Sequence, residues 1–435
     1  MKHRSWLIRV ALIAILALVA AACRQAAETG GEEVQDPRGV IQIGADDPIK
    51  IAAAQAISGD VASLGTDQVR AIEIAIADHG PLLGHEIELQ VEDDQCAAEG
   101  GTAAGQKLAA DETVVGVIGT SCSGAAVPMA GLLDDAGIPL ISGSNTSPFL
   151  TQAPFGTEAE DHHPNYFRTA HNDLIQGAAA ATFAFGECGV TKAASIHDGD
   201  PYTSGLAGAF NDSFEGQGGT MVIKTAVSPD DTDMRPVLTE VAAAGAEIIF
   251  FPIFQPAGDF IAKQAREIEG LENTVLMGAD GLLSDTYVVI PETKQAPGCP
   301  GIDGAPDGMY HSGPATPTGS AYEEFVAKYE DANGEKPIQA FHAHSYDAAN
   351  VLFAAIEKVA VQADDGSIQI GRQALIDAIG ETEGFQGLTG TITCDEFGDC
   401  ADPKIDILQN TKDTKDITAV KANILATFTP EDLGL

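Results

Sequence analysis

From Ile49 onward the chain repeats one pattern: an apolar run of strand length, then a stretch with helical periodicity. IKIAAAQAI is followed by Thr66 to His79, where Val69, Ile72 and Ile76 share one helical face. EIELQVED precedes Ala97 to Ala110, VVGVIG precedes Gly124 to Asp135, and IPLIS, KAASIHD, TMVIKTAV, EIIFFP and TVLMG continue the series. A strand that is apolar on both faces must be covered on both faces, and the intervening helices supply that cover. The pattern predicts an α/β chain built on doubly wound parallel sheets. The units are too many for one sheet of ordinary width, so two lobes are expected.

The N-terminus has a different logic. Lys2, Arg4 and Arg9 precede an unbroken apolar run, Val10 to Ala22, too short to span a bilayer as a helix. A positive segment, a short apolar run and small residues together read as an export signal over residues 1–22. Cys23 directly follows three alanines and reads as a lipidation site, although Ala20 stands where such sites favour Leu. The plainer alternative is ordinary signal cleavage beside an incidental cysteine. Residues 23–47 are polar and acidic with Gly and Pro, so they read as a flexible, lipid-anchored tether. The expected location is the periplasm or the outer face of the cytoplasmic membrane.

Export makes disulfides possible. With Cys23 carrying lipid, six cysteines remain. Cys394 and Cys400 are close enough to staple a hairpin, Cys96 and Cys122 each follow a strand-like run, and Cys188 and Cys299 remain by elimination. The formal charge of −41 repels nucleic acid and anionic lipid. No nucleic-acid partner is therefore expected, and membrane contact is expected through the anchor alone.

In doubly wound sheets, ligands bind beyond the carboxyl ends of the strands. The loops there carry Thr120 to Gly124, Gly143 to Pro148, Gly199 to Tyr202, Ile253-Phe254 and Ala279 to Gly281. Ser123 opens a helix, where a hydroxyl and backbone N–H groups can cradle a carboxylate. Asp280 can pair with an ammonium group, and Tyr202 and Phe254 can add flat walls. An anion cradle facing one carboxylate is complementary to a zwitterion such as an amino acid. Taken singly, each residue also reads as a turn former or a core aromatic.

The stretches AISGDVASLG, EDDQC, VIGTSCSG, IPLISGSNTSPFLT, NYFRTAHND, HDGDPYTSG and MGADG, with Tyr346-Asp347, resemble type I periplasmic binding proteins. Within that fold the resemblance is to the branched-chain (leucine/isoleucine/valine) amino acid binders of ABC importers. It implies two lobes joined by a three-strand hinge: lobe 1 as 48–168 plus 316–386, lobe 2 as 169–315 plus 387–435. It implies a Cys96–Cys122 disulfide, Ser123 on the ligand carboxylate, Asn145 and Thr146 as a backbone and side-chain pair near both charged ends, and Tyr202 closing from lobe 2. Phe254 stands where the family usually has Tyr, Asp280 where leucine-type binders have Glu, and Leu64 where an aromatic often lines the side-chain pocket. The implied partners are an amino acid and a membrane permease. A monomer is expected, with no cofactor.

The same residues admit other readings. A sensor on this fold, or a binder of urea or short amides, fits the same loops. Catalysis is disfavoured because GTSCSG is not a G-x-S-x-G elbow and no His is spaced to a serine. His162-His163 and His342-Ala343-His344 invite a metal reading, against which solvated or capping histidines are preferred. His197 is read as a supporting hydrogen-bond partner.

Overall fold

A computed structural model describes residues 34–153, 157–284, 299–301, 308–411, 413–414 and 416–435. The expected signal segment and the lipidation at Cys23 lie outside the described residues.

Five parallel strands form the first sheet, in the order Ile87–Asp93, Ile49–Gln55, Val114–Gly119, Leu140–Ser142, Tyr166–Arg168. Along its second strand the side chains alternate between two cores. Ile49, Ile51 and Ala53 enter the core shared with helices Ala62–His79 and His342–Val359. Ala52 and Ala54 enter the core shared with helices Ala98–Ala109 and Ser123–Asp135. The small side chains of this strand let helices press close on both faces. A side chain at Gly101 would strike the Ala125 backbone, so glycine there lets the last two helices touch.

The second sheet has seven strands, in the order Thr220–Ala226, Lys192–His197, Ile248–Phe250, Val275–Ala279, Met309–Pro314, Ile405–Asn410, Ile424–Phe428. Its residues also alternate: Ile248 and Phe250 face one core, Ile249 and Phe251 the other. The first five strands are parallel; Ile405–Asn410 runs against them and Ile424–Phe428 pairs antiparallel to it, a detail the sequence pattern did not include. Ile405–Asn410 enters beside Met309–Pro314 from the opposite direction, straight from the other lobe. A short connection through helix Ile417–Ala422 then suffices to add the edge strand.

Two boundaries differ from the sequence reading. The tether expected through residue 47 already belongs to lobe 1 in its described part. Val40–Ile43 pairs antiparallel with Ile368–Gly371, and Ile41 and Ile43 fill the edge of the core. Asp36 accepts bonds from the backbone N–H groups of Gln373 and Ala374. The return to lobe 2 falls after Cys400 rather than at 387. Ile392 and Cys400 pack in the first core, and Asp347 accepts from the Leu388 and Thr389 N–H groups. The cysteines are joined as Cys96–Cys122, Cys188–Cys299 and Cys394–Cys400. No helix of the described residues is long and apolar enough to cross a membrane.

Candidate functional site

The carboxyl ends of the two sheets face each other across a cleft, and the lobes touch there. The Ser147 hydroxyl donates to the Pro201 carbonyl at 2.8 Å. A Cβ on Gly124 would lie 2.1 Å from Asp200 Oδ2, so glycine allows this close approach of the two helix starts. Between the lobes lies a cavity lined by residues of both.

Lobe 1 supplies its hydroxyl wall. Ser123 begins helix Ser123–Asp135, and its oxygen accepts from the Ser147 N–H at 3.2 Å. Ser121, Ser144 and Thr146 line the cavity beside it. This wall is braced from behind. Asp94 accepts from the N–H groups of Ser121 and Cys96, each at 2.7 Å, next to the Cys96–Cys122 bridge. Burial pushes the Asp94 carboxyl up to about 7 against the pull of those two donors. Arg168, fully buried, donates to the carbonyls of Asn145 and Ser147 and pairs with Asp399. Within the loop, the Ser144 hydroxyl donates to the Ser121 carbonyl at 2.7 Å and the Ser147 hydroxyl crosses to Pro201, so the hydroxyls are held in place by backbone carbonyls.

Lobe 2 supplies the charged wall. Asp280 follows strand Val275–Ala279, and the Tyr202 hydroxyl donates to its Oδ1 at 3.3 Å. Asp200 caps helix Pro201–Gly216 through the Tyr202 N–H at 2.8 Å, which fixes where that ring stands. The Tyr202 and Phe254 rings lie 5.1 Å apart. Burial raises the Asp280 carboxyl to about 6, and hydrogen bonds from Gln176 and Tyr202 partly oppose the rise. Asp173, wholly buried, is raised well above the usual carboxylate range by burial and by the nearby Asp280 charge.

Six residues singled out from sequence meet at this cavity: Leu64, Ser123, Thr146, Tyr202, Phe254 and Asp280. Asn145 does not line it. Its amide donates to the Thr120 carbonyl at 2.8 Å, and its oxygen takes bonds from Thr120 and Tyr166 hydroxyls. The side chain therefore braces the loop rather than facing the cleft. His342 and His344 sit in the first turn of their helix, and burial drives both down to about 3. His342 is engaged by Tyr322 and the Gln339 carbonyl. Among the described residues no group of three or more His, Cys, Asp or Glu could hold a metal ion. His197 Nδ1 accepts from the Gly199 N–H at 3.1 Å.

Strand-end reasoning missed two contributors. Gln176, inside helix Asp173–Thr182, donates to Asp280 Oδ1 at 2.7 Å and also to Ser312, while His171 engages its oxygen. Gln339, Ala340 and Phe341 line the cavity from a loop that precedes a helix, not one that follows a strand. None of the described lining residues is Lys or Arg.

The family model for periplasmic binding proteins matches residues 48–400. The chain belongs to the periplasmic binding protein family. A Leu/Ile/Val-binding protein homologue of Brucella melitensis is 28% identical over 366 residues, 83% of this chain and 91% of that protein. Among solved structures, a leucine-binding protein of Thermotoga maritima superposes with a TM-score of 0.71 at 23% identity, covering 88% of this chain and 99% of its own. An R. palustris solute-binding protein in complex with benzoate superposes at 0.66 and 21% identity, covering 89% and 99%. These relatives are binding proteins rather than enzymes, and this periplasmic binding protein is likewise a solute binder.

Proposed function

We propose that this chain is the extracytoplasmic receptor of an ABC importer and captures an amino acid, apolar or branched-chain, between its lobes. The observation that carries the reading is the polarity of the cavity. Asp280 stands alone on one wall, and Ser123, Ser144 and Thr146 stand on the other at a helix start. A zwitterion matches both walls at once: its ammonium meets Asp280 and its carboxylate meets the hydroxyls. Leu64, Val61 and Phe341 offer the side chain an apolar surface. An aromatic acid such as benzoate would satisfy the hydroxyl wall but leave Asp280 without a cation. Export under the N-terminal signal and a lipid anchor at Cys23 complete the reading, with a membrane permease as the partner of the closed form.

The test is a thermal-shift panel of the common amino acids, aromatic acids, urea and short amides, run on protein refolded to remove carried ligand. A ligand at a hundred times its dissociation constant adds about 2.7 kcal/mol of stability. The expected result is a shift with Leu, Ile or Val. Shifts with benzoates or amides alone would overturn the zwitterion assignment.

A further inference from the structure

One buried pair outside the cavity joins the lobes through a single peptide group. In lobe 1, Asp67 of helix Ala62–His79 is buried and accepts from the Tyr329 hydroxyl. Its Oδ2 also accepts from the N–H groups of Ile338 and Gln339, each at 2.7 Å. In lobe 2, Lys421 of helix Ile417–Ala422 donates to the Ile338 carbonyl. The carbonyl of Ile338 and the N–H of Gln339 belong to one peptide unit. A cation therefore sits at its oxygen end and an anion at its N–H end, the orientation that a peptide dipole favours at both ends. Around it, Ile338 packs against Leu283, Leu408, Ile417 and Val420, all from lobe 2. The next residues, Gln339 to Phe341, are cavity wall, and the Gln339 amide donates to Ser63, which also lines the cavity.

We infer that the Ile338–Gln339 peptide, gripped by Asp67 from lobe 1 and Lys421 from lobe 2, is a latch of the closed form, and that Lys421 is a positioning residue for ligand capture. Closing the lobes seats Lys421 and Ile338 together and so presses the Gln339–Phe341 wall onto the ligand. Opening exposes both to water. The inference rests on the binding-protein reading of the cavity.

The latch carries a proton signature. Burial lowers the seated Lys421 to about 8, and the Asp67 charge opposes the fall. An exposed lysine titrates near ~10.4. Closing thus releases a proton between those values, and closure gains from rising pH there, because the open form binds more protons. Other ionisable groups face this spot. Burial holds His342 at about 3 and lifts Tyr322 to about 12, with Tyr329 higher still. Hydrogen bonds to Tyr329 and Glu335 keep Arg70 charged. On the adjoining strand, Asp406 is bonded to Thr427, and exposed Asp416 caps the Lys421 helix.

The experiment is titration calorimetry with L-leucine at pH 8.5, in buffers of different ionisation enthalpy, on wild type, K421M and K421R. K421M should bind at least fivefold more weakly with its ligand-free melting temperature unchanged, and it should lose the proton release that wild type displays. K421R keeps a charged donor that does not titrate near pH 8.5, so it should fold and still lose that release. Wild-type affinity in K421M, an equal loss of melting temperature, or proton release persisting in K421R overturns the latch. If wild type takes up no leucine, the amino acid reading fails by itself. The latch is then read from small-angle scattering in the presence of the panel compound that shifts wild type, at equal concentration for both proteins, where K421M should have the larger radius of gyration and equal radii overturn it.

Discussion

The two walls of the cavity are built on opposite plans. The lobe 1 wall is redundant: several hydroxyls and a helix start, braced by the Cys96–Cys122 bridge, Asp94 and Arg168. The lobe 2 wall depends on one charge, Asp280, steadied by Gln176 and Tyr202. Redundancy spreads the loss when one donor goes. A lone charge concentrates it.

The contrast is sharpest at Asp280. Asp280→Ala is expected to weaken amino acid binding by about 2–4 kcal/mol, the range for removing one partner of a buried charged pair. Calorimetry with leucine checks it, and a change under tenfold would mean that the ammonium is held elsewhere. Next comes the brace. Asn145→Ala removes one donor from the Thr120 carbonyl and the acceptor of the buried Tyr166 hydroxyl, so urea denaturation should give a loss of about 1–3 kcal/mol in stability. Binding, measured well below the melting point, should change less than for Asp280→Ala. If affinity collapses while stability holds, Asn145 touches ligand after all.

The third expectation is a pH profile. Asp280 in the ligand-free site titrates near about 6, and only its ionised form holds an ammonium. Affinity should therefore fall as pH drops through 6, by on the order of tenfold between pH 7 and 5, and Asp280→Asn should flatten the curve. The smallest effect is expected at Ser123. Ser123→Ala should cost about 1 kcal/mol, roughly fivefold, because the backbone N–H groups of the helix start remain. A loss as large as that of Asp280→Ala would break the claim of redundancy.

The alternation of strands and helices was legible because the inner strands are covered on both faces, which leaves continuous apolar runs such as VVGVIG. Ser123, Tyr202 and Asp280 were legible because strand ends point at clefts in this architecture. Other parts were hidden for definite reasons. Val40–Ile43 is four residues in an acidic stretch, and its partner strand lies more than 300 positions away. Gln176 is one polar residue in a helix, and nothing local marks it as the neighbour of Asp280. Gln339 to Phe341 reach the cavity on a loop before a helix, outside the rule used to find the rest. Asn145 sits in the right loop, and Thr120 and Tyr166 behind it decide which way its amide turns.

The crossings between the lobes are laced to one another. Arg168 donates its N–H to the Gly398 carbonyl, Cys400 donates back to Arg168, and Ala315 donates to Lys404. The three connections thus form one ribbon instead of three independent cords. A ribbon bends easily about its width and resists shear along its length. The lobes are therefore expected to swing like a door on a continuous strap, without sliding past each other. Each time the door shuts, Asp280 should come back opposite the same hydroxyls, so alignment across the cleft is a property of the strap and not of the ligand.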